Sequence, residues 1–246
     1  MNFRAITINY IMKFGNLIIK QYDGGQNRPV FFDVKKTFPK LSVIEENFNS
    51  VKTEFENVNK HFEIPAYHEV DQRSYAISAK VEEKLKWKVF LLNYSGKTPD
   101  LAKELCPKTT ELLNTIPNAY KVFFSVLEPG KSIPAHHGPY RGYLRYHLGL
   151  QVPKNSPPSI RIKDKIYHWK EKESILFDDT WDHEVINNSD KERAILIIDL
   201  LRPLPFIPNF INKFIAYFLL KKIRINKVLK NVANLNQNRK NSKEGK

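Results

Sequence analysis

The chain carries one cysteine in 246 residues, Cys106, so no disulfide can form within it, and that usage fits a reducing compartment. It has no apolar run of the roughly 18–20 uncharged residues that a membrane span requires. Between Met1 and Tyr22 the apolar residues are interrupted by Asn9, Lys13 and Asn16, and no small-residue cleavage site follows, so no signal peptide is expected. Internal repeats and low-complexity blocks are missing too. A cytoplasmic protein is expected, either free or held at a membrane surface.

What is present describes a globular chain. Hydrophobic residues make up 41% of it and aromatic ones 12%. The length suits one domain with additions: an N-terminal extension over 1–40, a central domain over 41–205, and a basic helix and tail over 206–246. The net charge of +14 is concentrated in that tail. Lys221, Lys222, Arg224, Lys227, Lys230, Arg239, Lys240, Lys243 and Lys246 stand there against the lone Glu244. Such a run suits an anionic membrane, or merely keeps a chain in solution; nucleic acid is not expected as a partner. Phe210, Ile211, Phe214, Ile215, Phe218 and Leu219 precede the charges, and Pro208 suits a first helical turn. A helix of this kind lies in a membrane interface, docks on its own domain, or pairs with a second copy. It is expected at the periphery.

The spacing of Ile44, Phe48, Val51, Phe55 and Val58 predicts one amphipathic helix over 43–60, opened by a Ser42–Glu45 capping box. Residues 1–40 show no clean period. Residues 87–92 read as a strand, and two short helices follow at 99–105 and 108–115, broken by Pro107. Strand patterns then recur at 118–127, 143–152, 159–168, 173–178, 183–187 and 193–200. Turns at Glu128-Pro129-Gly130, 155–158, 163–165 and 187–190 punctuate them. This spacing predicts an antiparallel sandwich or barrel, a mainly β fold with flanking helices.

The chemistry-bearing residues gather between Ser125 and Arg193. His136 and His183 lie far apart in sequence, each beside a turn, and Arg193 stands further along the second strand path. Imidazole suits Fe(II), and an open metal site leaves positions for a co-substrate and O2. A guanidinium fork matches the far carboxylate of a dicarboxylic acid. Spacing alone is a weak signal, because a two-His, one-carboxylate site asks for Asp or Glu where Gly138 stands. A metal-free jelly-roll binding module whose basic tail binds membrane or nucleic acid would keep the same strands. His137 should point away from its neighbour on an extended segment. Asp178, Asp179 and Asp182 suit turns or the support of ligands, and Trp169 and Trp181 suit packing.

A resemblance strengthens the metal reading. Ser125-x4-Gly130-x5-His136-x-Gly138-Pro139 is followed by Leu144-Arg145-Tyr146-His147-Leu148-Gly149-Leu150. Phe177-Asp178-Asp179-Thr180-x2-His183-Glu184-Val185 comes next, with Arg193 and Asp199 beyond it. Upstream, Trp87-Lys88, Cys106-Pro107-Lys108-Thr109 and Leu112-Leu113 fit as well. Over roughly residues 85–203 this pattern resembles the aspartyl/asparaginyl β-hydroxylase family. The resemblance implies a dioxygenase dependent on Fe(II), 2-oxoglutarate and O2, on a cupin-like double-stranded β-helix. It also implies iron held by two His with Gly in the carboxylate's place, which Gly138 fits. His136 and His183 would be the iron ligands. Arg193 and Ser125 would bind the distal carboxylate of 2-oxoglutarate. Arg145 and His147 would stand near its other carboxylate and the substrate, and Trp87 would line the pocket.

The substrate stays open between a peptidyl Asp or Asn and a lipid acyl chain. The protein hydroxylases of the family resemble one another in an Arg two residues before the Arg145 position, where this chain has Tyr143. The lipid-hydroxylating branch fits the basic amphipathic end, although that branch usually has an N-terminal anchor and a carboxylate in its metal motif.

Overall fold

Alternation along the strands decides this architecture. In the computed structural model, which describes residues 3–79 and 85–244, ten strands form two antiparallel sheets. They are β1 (Phe31–Phe32), β2 (Trp87–Tyr94), β3 (Ala119–Leu127), β4 (Ile133–His136) and β5 (Tyr143–Gln151), then β6 (Ser159–Ile162), β7 (Lys165–His168), β8 (Ser174–Phe177), β9 (His183–Ile186) and β10 (Arg193–Leu201). The larger sheet runs β1-β8-β5-β10-β3-β2 and the smaller β4-β9-β6-β7. From β3 onward the chain passes back and forth between the two sheets, which is a double-stranded β-helix.

Side chains on a strand alternate between faces, so each strand of the larger sheet serves two cores. Phe90, Val122, Phe124, Leu148, Leu196 and Ile198 point outward onto the helices Phe48–His61 and Pro107–Asn114. Phe123, Leu127, Phe177, Ile195 and Ile197 point inward, toward Ile160, Ile162 and Val185 of the smaller sheet. Pairing fixes who stands beside whom on that inner face. Ser125 is opposite Ile195, Arg193 opposite Leu127, His147 opposite Ile197, and Arg145 opposite both Asp199 and Phe177. On the smaller sheet His136 is paired with His183.

Several expectations need correction. The helix over 43–60 is two helices, Ser42–Glu46 and Phe48–His61, because the Asn47 side chain turns back to donate to the Val43 carbonyl at 2.8 Å. The capping box is absent, since Ser42 is already helical and Glu45 instead accepts from Tyr146 and Ser174. The 159–168 segment is two strands joined at the expected 163–165 turn, where the φ of Lys163 is 55°. Strand β4 had no clear pattern in the sequence.

The two ends of the chain depart most from expectation. Helix α1, Phe3–Ile19, occupies a stretch without period because it is apolar on more than one side: Ile8, Met12 and Ile19 are buried while Tyr10, Phe14 and Leu17 face out. The C-terminal helix is not peripheral. It runs from Phe206 to Glu244 with π-type turns at Ile215–Leu219 and Lys221–Ile225, and Pro208 lies in its first turn. Ala216, Ile225, Val228 and Val232 enter the inner core, while Ile215 and Leu220 join Ile8, Met12, Tyr140 and Tyr143 in a third cluster. Gly245 and Lys246, the end of the basic tail, lie outside the described residues. Among the described residues no helix is long and apolar enough to cross a membrane.

Candidate active site

The two candidate ligands meet because β4 and β9 are neighbours. The His136 and His183 rings lie with centroids 4.2 Å apart. Nδ1 of His136 is 2.8 Å from the Pro134 carbonyl, and Nδ1 of His183 is 2.9 Å from the Trp181 carbonyl. A carbonyl only accepts, so each Nδ1 carries the proton and each Nε2 keeps its lone pair. Burial lowers the pKa of both rings, that of His183 to about 3, with the neighbouring His136 adding to the effect. Both are therefore neutral near pH 7, the form that binds a metal. Among the described residues no cluster of three His, Cys, Asp or Glu side chains is placed to hold an ion. The donors that the site offers a metal are two imidazoles.

Among the described residues Arg193 is the buried cation with the most unpartnered nitrogens. Its side chain is buried, its Nε and Nη1 have no hydrogen-bond partner, and its guanidinium lies 4.4 Å over the Trp169 ring. Burial alone pulls its pKa down to about 9. A buried charge without a counter-ion is costly, and a carboxylate is its natural complement. Ser125 stands diagonally across the β3–β10 ladder, and its Oγ accepts from Trp87 Nε1 at 2.9 Å. That leaves the Ser125 hydroxyl proton to donate elsewhere. His147 bridges the two halves of the site. Its ring lies 4.8 Å from Phe177, which is 6.4 Å from His183, and 5.8 Å from Trp169 beneath Arg193. Both His147 nitrogens are buried without a partner, and burial, with Arg145 and Arg193 nearby, keeps the ring neutral. These orphaned atoms fit a dicarboxylate anchored at Arg193 beside the His136–His183 pair.

Arg145 is already engaged. Its Nε and Nη2 donate to Asp199 at 2.7 and 3.1 Å, and its Nη1 lies 3.1 Å from Asp179 Oδ2. It forms a charged wall rather than a free anion receptor. The other acids take the roles expected of supports. Asp178 ties together Arg28, Arg202 and Thr180, and Asp182 pairs outside with Arg161. His137 is exposed, 3.9 Å from Asp182. Trp181 packs under Arg28.

A cleft of about 250 Å³ opens on His136 and is bounded by Arg145, Tyr143 and Trp87. At its far side lie residues that sequence reasoning missed: Tyr67, Asp71, Arg73, Lys121 and Arg224. Lys121 Nζ is buried and donates to Tyr67 Oη at 2.7 Å; Arg224 pairs with Asp71 and leaves its buried Nε without a partner. One signal for Lys121 was available, a charge at an inward position of a strand that is otherwise apolar apart from Ser125 and the Tyr120 hydroxyl. Arg224, reaching in from the C-terminal helix, had none.

Comparison with known proteins fits this geometry. The model of the aspartyl/asparaginyl β-hydroxylase family matches residues 45–203. The chain belongs to that family. It is 36% identical over 188 residues to an ornithine lipid ester-linked acyl 2-hydroxylase of Rhizobium tropici, covering 76% of this chain and 65% of that one. It is 33% identical over 128 residues to the Homo sapiens aspartyl/asparaginyl β-hydroxylase, covering 50% of this chain and 17% of that one. The chain thus spans less than two thirds of the length of either relative. Among solved structures, the cupin domain of an Enterobacter cloacae transcriptional regulator is similar at 12% identity, covering 35% of this chain and 85% of that one, with a TM-score of 0.30. The fold assignment rests on the sheet order above.

Proposed function

We propose that this family member is an Fe(II)- and 2-oxoglutarate-dependent dioxygenase that hydroxylates a C–H bond of a lipid acyl chain. The observation that carries the reading is the unpartnered Arg193 guanidinium, joined through Trp169, His147 and Phe177 to a His136–His183 pair whose Nδ1 atoms are both tied down. His136 and His183 would hold the iron, and Arg193 with Ser125 would hold the distal carboxylate of 2-oxoglutarate. Iron with O2 and 2-oxoglutarate would supply the oxidant, one oxygen atom going to the substrate and the other to succinate, with loss of CO2.

The protein's own groups orient and insulate. Trp87 donates to the Ser125 oxygen, which leaves the hydroxyl proton to donate to a bound carboxylate. His147, neutral and buried, adds hydrogen-bonding capacity without adding charge. Arg145, clamped by Asp199 and Asp179, holds one wall in place.

A lipid substrate is favoured over an acidic side chain by the residues that would meet it. Tyr143 is buried beside Tyr140, and Arg145 is saturated by internal carboxylates, so no free guanidinium awaits a peptide carboxylate there. Met12, Ile77 and Leu220 add apolar surface to the cleft. Lys121, Arg73 and Arg224 outnumber Asp71 in the same cleft, which suits an anionic group on either kind of substrate, so the preference for a lipid rests on Arg145 and the apolar lining. The R. tropici relative is named for acyl hydroxylation of a lipid. The test is aerobic incubation with Fe(II), 2-oxoglutarate and an ornithine lipid, followed by mass spectrometry. The reading requires succinate formation together with gain of one oxygen on an acyl chain. Succinate formed only with an acidic peptide would move the substrate to protein, and no turnover with either would favour a non-catalytic jelly-roll module.

A further inference from the structure

Two helices that flank the barrel keep large apolar side chains in solvent. On α1, Tyr10, Phe14 and Leu17 recur at helical spacing and are exposed. On the C-terminal helix Phe206, Ile207, Phe210, Phe214 and Phe218 do the same, Phe206 at 86% exposure. The inner sides of both helices meet in one cluster around Tyr140 and Tyr143, so the helices lie side by side and turn their other faces outward together. Scattered exposed apolar residues are ordinary, but large apolar side chains repeated at helical spacing along two neighbouring helices, with Phe214 and Phe218 stacked, mark an interaction surface.

We infer that the paired outer faces of α1 and the C-terminal helix dock on an anionic lipid bilayer, seating the mouth of the cleft at the membrane interface. Charge selects this occupant. Neither residues 1–22 nor residues 206–243 contain an Asp or Glu. Lys13, Lys20, Lys213 and Lys222 are exposed among the aromatic residues of those two helices. Aromatic side chains interleaved with lysines suit the headgroup boundary of an anionic leaflet, where the rings bury and the ammonium groups meet phosphate. A second copy of the same face would bring like charges together. Position supports the same occupant: Met12 of α1 with Leu220 and Arg224 of the C-terminal helix line the cleft beside His136. An acyl chain would then reach the site without crossing water. The docking itself does not depend on the hydroxylase reading.

The test uses the full chain without iron or 2-oxoglutarate, sedimented with vesicles of phosphatidylcholine alone or mixed with phosphatidylglycerol, at low and high salt. Wild type should partition onto the mixed vesicles, less so in high salt. A triple variant, Phe14→Ser, Phe214→Ser and Phe218→Ser, should lose about tenfold or more of that partitioning with circular dichroism unchanged. A second variant, Lys13→Glu, Lys213→Glu and Lys222→Glu, keeps the aromatic face and should lose the dependence on phosphatidylglycerol. Three results would overturn the inference: no phosphatidylglycerol-dependent partitioning by wild type, equal partitioning by either variant, or a wild-type dimer in light scattering that the serine substitutions dissociate. Because the readout is sedimentation, failure of the catalytic reading would leave it standing.

Discussion

Gly138 and Asp179 occupy each other's space: a Cβ on Gly138 would fall 2.3 Å from Asp179 Oδ1, and the Gly138 amide donates to the Asp179 carbonyl at 2.7 Å. The position where many iron sites carry a third ligand is thus backed by a carboxylate from the neighbouring loop. Gly138→Ala should destabilise the protein by about 1–3 kcal/mol, because the backbone hydrogen bond prevents retreat. Asp179→Ser in the same chain should recover most of that loss. A double-mutant cycle by thermal unfolding reads the coupling, and additive effects would contradict the packing described.

Asp179 also gives a pH signature. Burial raises its carboxyl to about 7, with Arg145 opposing and Asp199 adding to the rise. The unfolded chain loses this proton at about 3.9. Between those values the folded state holds more proton than the unfolded one, so this group makes stability fall as pH rises, and its effect levels off above about 7. Asp179→Asn should remove that slope, worth up to about 1.4 kcal/mol per pH unit. Parallel stability–pH curves for the two proteins between pH 4 and pH 7, on the order of the window set by those values, would contradict it.

Arg193 should show opposite effects in the free and ligand-bound protein. Its unpartnered guanidinium costs stability, so Arg193→Met should leave the free protein at least as stable as wild type. The same variant should lose the rise in melting temperature that 2-oxoglutarate gives wild type. Calorimetry in both conditions checks this. A strongly destabilised free variant would mean that Arg193 is a structural charge.

The C-terminal helix should behave as core. Ile225 is fully buried among residues of the inner cluster, so Ile225→Ala should cost about 2–4 kcal/mol. A loss below about 0.5 kcal/mol would return that helix to the periphery.

Much of this was legible in the sequence because strands encode faces by parity. The strands and several of the turns between them, at Pro129-Gly130, Lys163 and 187–190, were readable locally. Ser125, His147 and Arg193 were singled out through the family resemblance, and the sheet order rests on non-local pairing that no turn announces. What escaped was long-range. The Arg28–Asp178 pair joins residues far apart in the chain, as does Arg224 with Asp71, and no local pattern announces either. Arg145 was readable as a cation near the site, but its capture by Asp199 and Asp179 depends on strand register and on one loop. Helix α1 escaped because residues meant for solvent-side contact are as apolar as those it buries.

The central claim is that His136 and His183 hold iron while Arg193 anchors 2-oxoglutarate beside it. Anaerobic titration with Fe(II) and 2-oxoglutarate, followed by the visible charge-transfer absorption of the chelate, tests it most directly. The account predicts a band in wild type that disappears in His183→Ala and needs far more 2-oxoglutarate in Arg193→Met. No band in wild type, or the same band in all three proteins, would contradict it.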